Sequence, residues 1–132
     1  MRTRQSSHSV HNINYHFVWC PKYRHSYLET VESTVADSIS ESLRATESEI
    51  LSLHISDDHV HLFVSALPTT APYELVRRVK SISARRLWSE HEETMQRLFW
   101  GGGCWERAYY VGTAGTVSAK TVKEYIERTD HL

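Results

Sequence analysis

The sequence predicts a single α+β domain over 1–132, built as a ferredoxin-like split β-α-β sandwich with an additional C-terminal helix. Runs of alternating apolar residues, typical of half-buried strands, are interleaved with runs whose apolar residues recur at helical spacing. In chain order they read β-α-β-β-α-β and then α, which favours an antiparallel sheet with two helices on one face. The 132 residues, 40% of them hydrophobic, are enough to close one core.

The first half of the chain contains the β-α-β-β part of this order. Aromatic residues alternate with others over 13–19, which predicts a strand that ends before a proline. Residues 31–46 carry apolar side chains at steps of four and therefore predict an amphipathic helix. Strands are predicted over 50–55 and 59–66, because β-rich runs flank a Ser-Asp-Asp turn.

The second half supplies a helix, a strand and a final helix. Helical spacing of apolar residues predicts a helix over 72–88 with proline near its start. Residues 104–111 are rich in aromatic and β-branched side chains and predict the fourth strand, in which the preceding three glycines imply a bend or a break. Intervals of four over 118–128 predict the C-terminal helix, with Ser118 as its cap.

Composition excludes several classes of protein. The formal net charge of −1 gives no global attraction to nucleic acid, so any DNA binding must come from locally concentrated cations. No signal peptide or membrane-length apolar segment is apparent, and a soluble cytoplasmic protein is expected. Cys20 and Cys104 form no CxxC pair, which favours free, buried thiols over a disulfide or a zinc site.

His59 and His61 are the first candidate for chemistry. Side chains two apart on a strand share a face, so these imidazoles project together while their apolar neighbours point to the opposite side. Two imidazoles on one face can hold one metal ion. Taken alone, an isolated His-x-His pair is more often two surface histidines on a strand.

Tyr125 on the C-terminal helix is the candidate nucleophile. The phenol has a pKa of about 10 and needs a nearby cation or base to attack at neutral pH. A helix laid on the sheet face that carries His59 and His61 would bring the hydroxyl beside a bound metal, which also polarises a phosphate. The alternative for a lone helical tyrosine is an ordinary amphipathic core residue.

Two groups of residues are candidates for DNA binding. One is a polar turn after the first strand that interleaves cations with an aromatic ring, and it could equally be an ordinary loop. The other is a stretch of the second long helix that contains cations and no carboxylate, and it could equally be a solvated helix face. The turn comprises Lys22, Tyr23 and Arg24, and the helix cations are Arg77, Arg78, Lys80, Arg85 and Arg86.

Taken together, these segments resemble the single-tyrosine HUH transposases of the insertion sequence 200/605 family over nearly the whole chain. The His-hydrophobic-His motif and the tyrosine on the last helix carry the resemblance. The similar segments are, in chain order, Asn-Tyr-His-Phe-Val-Trp-Cys-Pro-Lys-Tyr-Arg at 14–24, Asp-His-Val-His-Leu at 58–62, Lys-Ser-Ile-Ser at 80–83, the aromatic strand at 105–111 and Val-Lys-Glu-Tyr-Ile at 122–126.

The resemblance implies a function for these residues. Tyr125 would attack a phosphodiester of single-stranded DNA, leaving a 5′-phosphotyrosine and a free 3′-hydroxyl, and His59 and His61 would hold Mg²⁺ or Mn²⁺. No nucleotide cofactor is needed, because the bond energy is retained in the intermediate. The family binds DNA hairpins near element ends and works as a homodimer, in which the tyrosine helix serves its own or the partner's histidines.

One position departs from the family pattern. A glutamine usually stands four residues after the tyrosine as the third metal ligand, and here that position is Thr129. Asp130 is chemically better for a hard cation but lies off the Tyr125 face of an unbroken helix. The third ligand is therefore open between these two, and an inactive copy of an element is compatible with the same sequence.

Other classes of protein fit less well. A histidine-triad hydrolase needs a third histidine where Phe63 stands, and a two-histidine phosphoesterase needs a second motif that is absent. A zinc deaminase needs a glutamate beside its ligand and a Pro-Cys-x-x-Cys motif. HUH nucleases of replication or plasmid transfer are usually longer. The main alternative is a noncatalytic hairpin-binding protein or repressor with the same fold.

Overall fold

A computed structural model describes residues 3–5 and 9–113. The strands are β1 (Arg4–Gln5), β2 (Val10–His11), β3 (Ile13–Trp19), β4 (Glu49–Ser56), β5 (His59–Ala66) and β6 (Tyr110–Thr113). The helices are α1 (Glu32–Arg44), α2 (Pro72–Glu90) and α3 (Glu92–Phe99), and short 3-10 turns occupy Lys22–Arg24 and Leu28–Val31. Within these described ranges, no helix has the length and apolar character needed to cross a bilayer.

The main sheet has the strand order β4-β5-β3-β6, and every neighbouring pair is antiparallel. Because β3 and β4 are both antiparallel to β5, they run parallel to each other with β5 between them. This arrangement is the predicted split β-α-β, which is confirmed. A small hairpin of β1 and β2, which the sequence did not predict, precedes the sheet.

The hydrophobic core lies between one face of the sheet and the long helices α1 and α2. Alternate residues of β3 and β5 enter it, including Phe17, Val60 and Leu62, which are all buried. Helical spacing brings Val35 and Val79 into the same cluster from α1 and α2. Burying large apolar side chains contributes about 1.5 to 3 kcal/mol each, so this layer determines which face of the sheet is internal.

Both cysteines are buried thiols that form no disulfide, as predicted. Burial raises the pKa of the Cys104 thiol to about 12, because the thiolate would lose its hydration. Cys104 is therefore a protonated, inert core side chain at neutral pH.

The predicted strand over 104–111 is wrong in its extent. Only Trp105 makes an isolated bridge, to Pro21, and the strand proper is Tyr110–Thr113. The intervening segment is bound to α2 instead of the sheet, since Nζ of Lys80 donates to the carbonyl oxygens of Glu106 and Arg107 at 2.5 and 3.4 Å. These two carbonyls are therefore paired with a helix side chain and not with a neighbouring strand.

Two further differences concern short elements. Helix α3 was not predicted, because it is only 8 residues long and buries just Met95 and Phe99. In β4 the register shifts between Ile50 and Ser52, so Leu51 is exposed although it continues the apolar alternation. The predicted C-terminal helix over 118–128 lies outside the described residues.

Candidate functional site

His59 and His61 lie on the face of β5 opposite the helices. Val60 and Leu62, which alternate with them, are buried in the core, whereas both histidines are half-buried. The centroids of their rings are 4.9 Å apart. The two imidazoles therefore share one side of the sheet, as the period of a strand predicts.

Two further histidines extend this cluster onto the neighbouring strands. His54 of β4 is the cross-strand partner of His61, and their ring centroids are 6.2 Å apart. His16 of β3 lies on the other side, with its ring centroid 5.5 Å from that of His61. Tyr110 of β6 and Phe63 present ring edges to His16. The sheet thus carries four imidazoles on adjacent strands, with His61 in the middle.

The Nδ1 atoms of His59 and His61 each have a hydrogen-bond partner. Nδ1 of His59 lies 2.8 Å from a carboxylate oxygen of Asp58. Nδ1 of His61 lies 3.3 Å from Nε2 of His16. Since Nδ1 is occupied in both rings, Nε2 is the nitrogen that each can offer to another ligand.

The electrostatics of the cluster keep His61 neutral. Burial lowers its pKa to about 4, and repulsion from His59, His16 and His54 adds to that effect. Burial also lowers the pKa of His16. Neutral imidazole is the form that binds metals, so His61 can ligate at neutral pH without first losing a proton.

The donor set suits a divalent transition metal. Imidazole nitrogen suits divalent ions of the first transition row, whereas Mg²⁺ prefers oxygen ligands. Among residues 3–5 and 9–113, no three His, Cys, Asp or Glu side chains are close enough to hold an ion together. His59 and His61 are thus candidate ligands within the described residues, and the candidate third ligands Thr129 and Asp130 lie outside them, as does Tyr125.

The turn at Lys22–Arg24 has an unusual backbone. Tyr23 and Arg24 both have positive φ, at 61° and 49°, a region that side chains other than glycine rarely occupy. Tyr23 is 64% exposed, and Nζ of Lys22 lies 5.4 Å from its ring centroid. Nε of Arg24 lies 3.0 Å from a carboxylate oxygen of Asp58. Of the three residues predicted here to bind DNA, Tyr23 is exposed to solvent and Arg24 is paired with Asp58, the residue before β5.

The α2 cations are not gathered on one surface. Arg78 donates to the carbonyl of Ser42 at 3.3 Å, and Arg86 pairs with Glu90 at 2.8 Å, so both turn towards other groups of the helical layer. Lys80 points to the segment before β6, and burial lowers its pKa. Arg77 and Arg85 are exposed, and so is Arg78 despite its hydrogen bond to Ser42. All five stand on the helix layer, which covers the face of the sheet opposite the histidine cluster.

Sequence reasoning missed the partners of the histidine pair. Asp58 was interpreted as part of a turn and of a family-like segment, and His16 as part of a strand and of another such segment, but neither was predicted to contact the histidine pair. The adjacency of Asp58 to His59 was a signal that could have been used, because metal-binding histidines usually donate their second N–H to a carboxylate or carbonyl. The contact of His16 with His61 depends on strand register, for which no local signal exists.

The chain matches known proteins over most of its length. The family model described as "Transposase IS200 like" matches residues 9–129. The ISDra2 transposase TnpA of Deinococcus radiodurans is 34% identical over 122 residues, covering 89% of this chain and 84% of that protein. The transposase for insertion sequence element IS200 of Salmonella typhimurium is 26% identical, covering 92% of this chain and 79% of that protein.

Solved structures agree with these matches. The crystal structure of a candidate transposase from Deinococcus radiodurans R1 has a TM-score of 0.82 at 31% identity and covers 96% of this chain and 97% of its own. A REP-associated tyrosine transposase bound to a REP hairpin has a TM-score of 0.58 at 13% identity, covering 96% of this chain and 69% of its own. At that identity, the second likeness shows the shared fold alone.

Proposed function

This chain belongs to the IS200-like transposase family, and on that basis we propose that it cleaves and rejoins single-stranded DNA at insertion-sequence ends through a covalent 5′-phosphotyrosine. The family defines the broader activity, which is DNA transposition. The observation that carries the finer proposal is the pair His59 and His61, which share one face and have both Nδ1 atoms engaged. The matched residues 9–129 also include Tyr125.

Tyr125 is the proposed nucleophile. Its phenolic oxygen forms a bond to phosphorus while the bond from phosphorus to the 3′ oxygen of the preceding nucleotide breaks. The departing oxygen keeps the electron pair and takes up a proton to become a 3′-hydroxyl, and the phenol loses its proton. Attack by the 3′-hydroxyl of another DNA end reverses the linkage and releases Tyr125. One phosphoester is exchanged for another, so no nucleotide cofactor is consumed.

His59 and His61 would hold Mg²⁺ or Mn²⁺ through Nε2, with Thr129 or Asp130 as a proposed third ligand. When bound, the ion supplies charge that polarises the phosphate under attack. The chain's own contribution is orientation: the strand holds both rings on one side, and their Nδ1 partners restrict ring rotation. A nucleophile placed in line with an oriented phosphate gains rate from proximity alone.

DNA binding is proposed on a separate surface from cleavage. The REP-associated relative is bound to a DNA hairpin, and a hairpin is the proposed ligand of this chain. Arg77 and Arg85 are exposed on α2, on the helical side of the sheet, whereas the histidine pair lies on the other side. Tyr23, which is exposed in the turn after β3, could stack on a base of the single-stranded flank of such a hairpin.

A homodimer is the proposed working unit. Each subunit offers one Tyr125, and excision requires cleavage at both ends of the element. Two subunits therefore supply the two nucleophiles, with each tyrosine helix serving the histidines of its own or of the partner subunit.

The test is a denaturing gel of protein incubated with single-stranded element-end DNA and Mn²⁺. Wild type should give a covalent protein–DNA band that is lost in chelator and in Tyr125→Phe, while Tyr125→Phe still shifts the DNA on a native gel. Tyr109→Phe, a tyrosine outside the proposed chemistry, is the matched control and should retain the covalent band.

Two outcomes would contradict this proposal. A covalent band that persists in Tyr125→Phe would identify a different nucleophile. A native complex without any covalent band, in every divalent metal tested, would identify the noncatalytic hairpin-binding protein. Thr129, which stands where the family has a glutamine, would then be the first residue to test as the cause.

A further inference from the structure

We infer that Asp58, supported by Arg24, and His16 are positioning residues that set the tautomer and orientation of the two histidines proposed as metal ligands. This inference rests on the proposed function, because it concerns the metal site of the same reaction. Neither Asp58 nor His16 would touch the ion or the DNA. Each would act through the ring to which it is hydrogen-bonded.

The first contact is between Asp58 and His59. The carboxylate oxygen lies 2.8 Å from Nδ1, a distance at which an ionised acceptor makes a strong hydrogen bond. A carboxylate can only accept, so the proton of the neutral ring must be on Nδ1 and the lone pair on Nε2. The side chain of His59 is only 19% exposed, which leaves the ring few alternative partners.

Arg24 holds the same carboxylate from the other side. Its Nε lies 3.0 Å from the second oxygen of Asp58. The residue adopts a φ of 49°, which costs energy for a side chain other than glycine and persists only where surrounding contacts enforce it. The two contacts together fix the orientation of the Asp58 carboxylate. Arg24 is therefore better explained as a residue that holds Asp58 than as one that contacts a DNA phosphate.

The turn that carries Asp58 is anchored by the backbone as well. The carbonyl oxygen of Asp57 accepts from the amides of Tyr27 and Leu28 at 3.1 and 2.9 Å. A carboxylate oxygen of Asp57 lies 3.3 Å from the amide of Glu29. The segment after β3 thus anchors the connection between β4 and β5. These backbone hydrogen bonds fix the position of Asp58 beside His59.

The second contact is between His16 and His61. Nε2 of His16 lies 3.3 Å from Nδ1 of His61. A metal on Nε2 of His61 requires the proton of that ring to be on Nδ1, where an acceptor must receive it. His16 can provide that acceptor only as a neutral ring with its own proton on Nδ1. Both ligand histidines would then have a dedicated acceptor, one a carboxylate and one an imidazole.

The measurement is Mn²⁺ affinity by electron paramagnetic resonance on the full-length protein without DNA. Removing an acceptor, in Asp58→Ala or His16→Leu, should weaken Mn²⁺ binding about 10- to 100-fold. Conservative variants that keep an acceptor, Asp58→Asn and His16→Gln, should recover a large part of that loss. The matched control is His54→Ala, which removes a neighbouring histidine of the same face and should change affinity less than about twofold.

A second readout requires no metal. Long-range ¹H–¹⁵N spectra of the histidine rings report which nitrogen carries the proton. In wild type, His59 and His61 should carry it on Nδ1; Asp58→Ala should shift only His59, and His16→Leu only His61. A general loss of structure would move all the histidines together, including His54.

The outcomes separate this inference from the proposed function. If His61→Ala binds Mn²⁺ as tightly as wild type, the metal site of the proposed function is wrong. If His61→Ala loses Mn²⁺ but Asp58→Ala and His16→Leu bind as wild type does, the metal site stands and the positioning inference is overturned.

Discussion

The indole nitrogen of Trp105 donates a hydrogen bond to Oγ of Ser83, at 2.9 Å, in the buried layer beside α2. Oγ of Ser83 in turn donates to the carbonyl of Val79 at 2.6 Å. The serine therefore connects the helix to the segment that would otherwise have extended the fourth strand. Together with Lys80, it explains why that segment follows α2 and enters the sheet only at β6.

Ser83→Ala should lower the free energy of unfolding by about 1 to 3 kcal/mol, because the buried indole N–H of Trp105 loses its acceptor. The measurement is urea denaturation followed by tryptophan fluorescence. Ser81→Ala, at an exposed position of the same helix, is the control and should change stability by about 0.5 kcal/mol or less. Equal effects of the two substitutions would show that the hydrogen bond contributes nothing.

Two exposed arginines of α2, Arg77 and Arg85, should contribute to the salt dependence of hairpin binding. Arg77→Gln combined with Arg85→Gln should reduce the slope of log affinity against log salt by about 1.4 to 1.8, as expected for two lost phosphate contacts. Binding titrations with a DNA hairpin between low and moderate salt measure this. Arg97→Gln removes the same charge from an exposed position of α3 and should leave the slope unchanged. A slope insensitive to the double substitution would remove α2 from the interface.

The stability of the metal-free protein should fall in mild acid. Because the pKa of His61 in the folded protein is about 4, below its usual 6.5, the unfolded chain takes up a proton first as pH decreases. The free energy of unfolding should therefore have its full value above pH of about 6.5 and should decrease as pH falls towards 4. We expect a decrease of about 1 to 2 kcal/mol, because the ring is only half-buried and solvent screens part of the effect.

This pH dependence can be checked by urea denaturation at a series of pH values in chelator. His61→Gln should give a flatter profile than wild type over the same range, whereas His54→Gln should not. Parallel profiles for wild type and His61→Gln would show that the burial of His61 does not make the free energy of unfolding depend on pH.

Much of the fold could be predicted because it depends on local periodicity. The predicted strands 13–19 and 59–66 coincide with β3 and β5, since strong apolar alternation leaves little choice of boundary. The extent of the fourth strand could not be predicted, because its aromatic residues suit either a strand or packing against a helix. The contacts of Lys80 and Ser83 decided between those two environments.

The sequence by itself determined that His59 and His61 share a face, because side chains two apart on a strand always do. It also determined the order of the four strands of the main sheet and of the two long helices, and the family-like segments, of which one contains Tyr125. Only the tertiary structure decided what holds the two rings: the register of β3 against β5 brings His16 to His61, and the turn after β3 brings Arg24 to Asp58. Such partners are separated along the chain and meet only in the folded protein, so no local pattern encodes them.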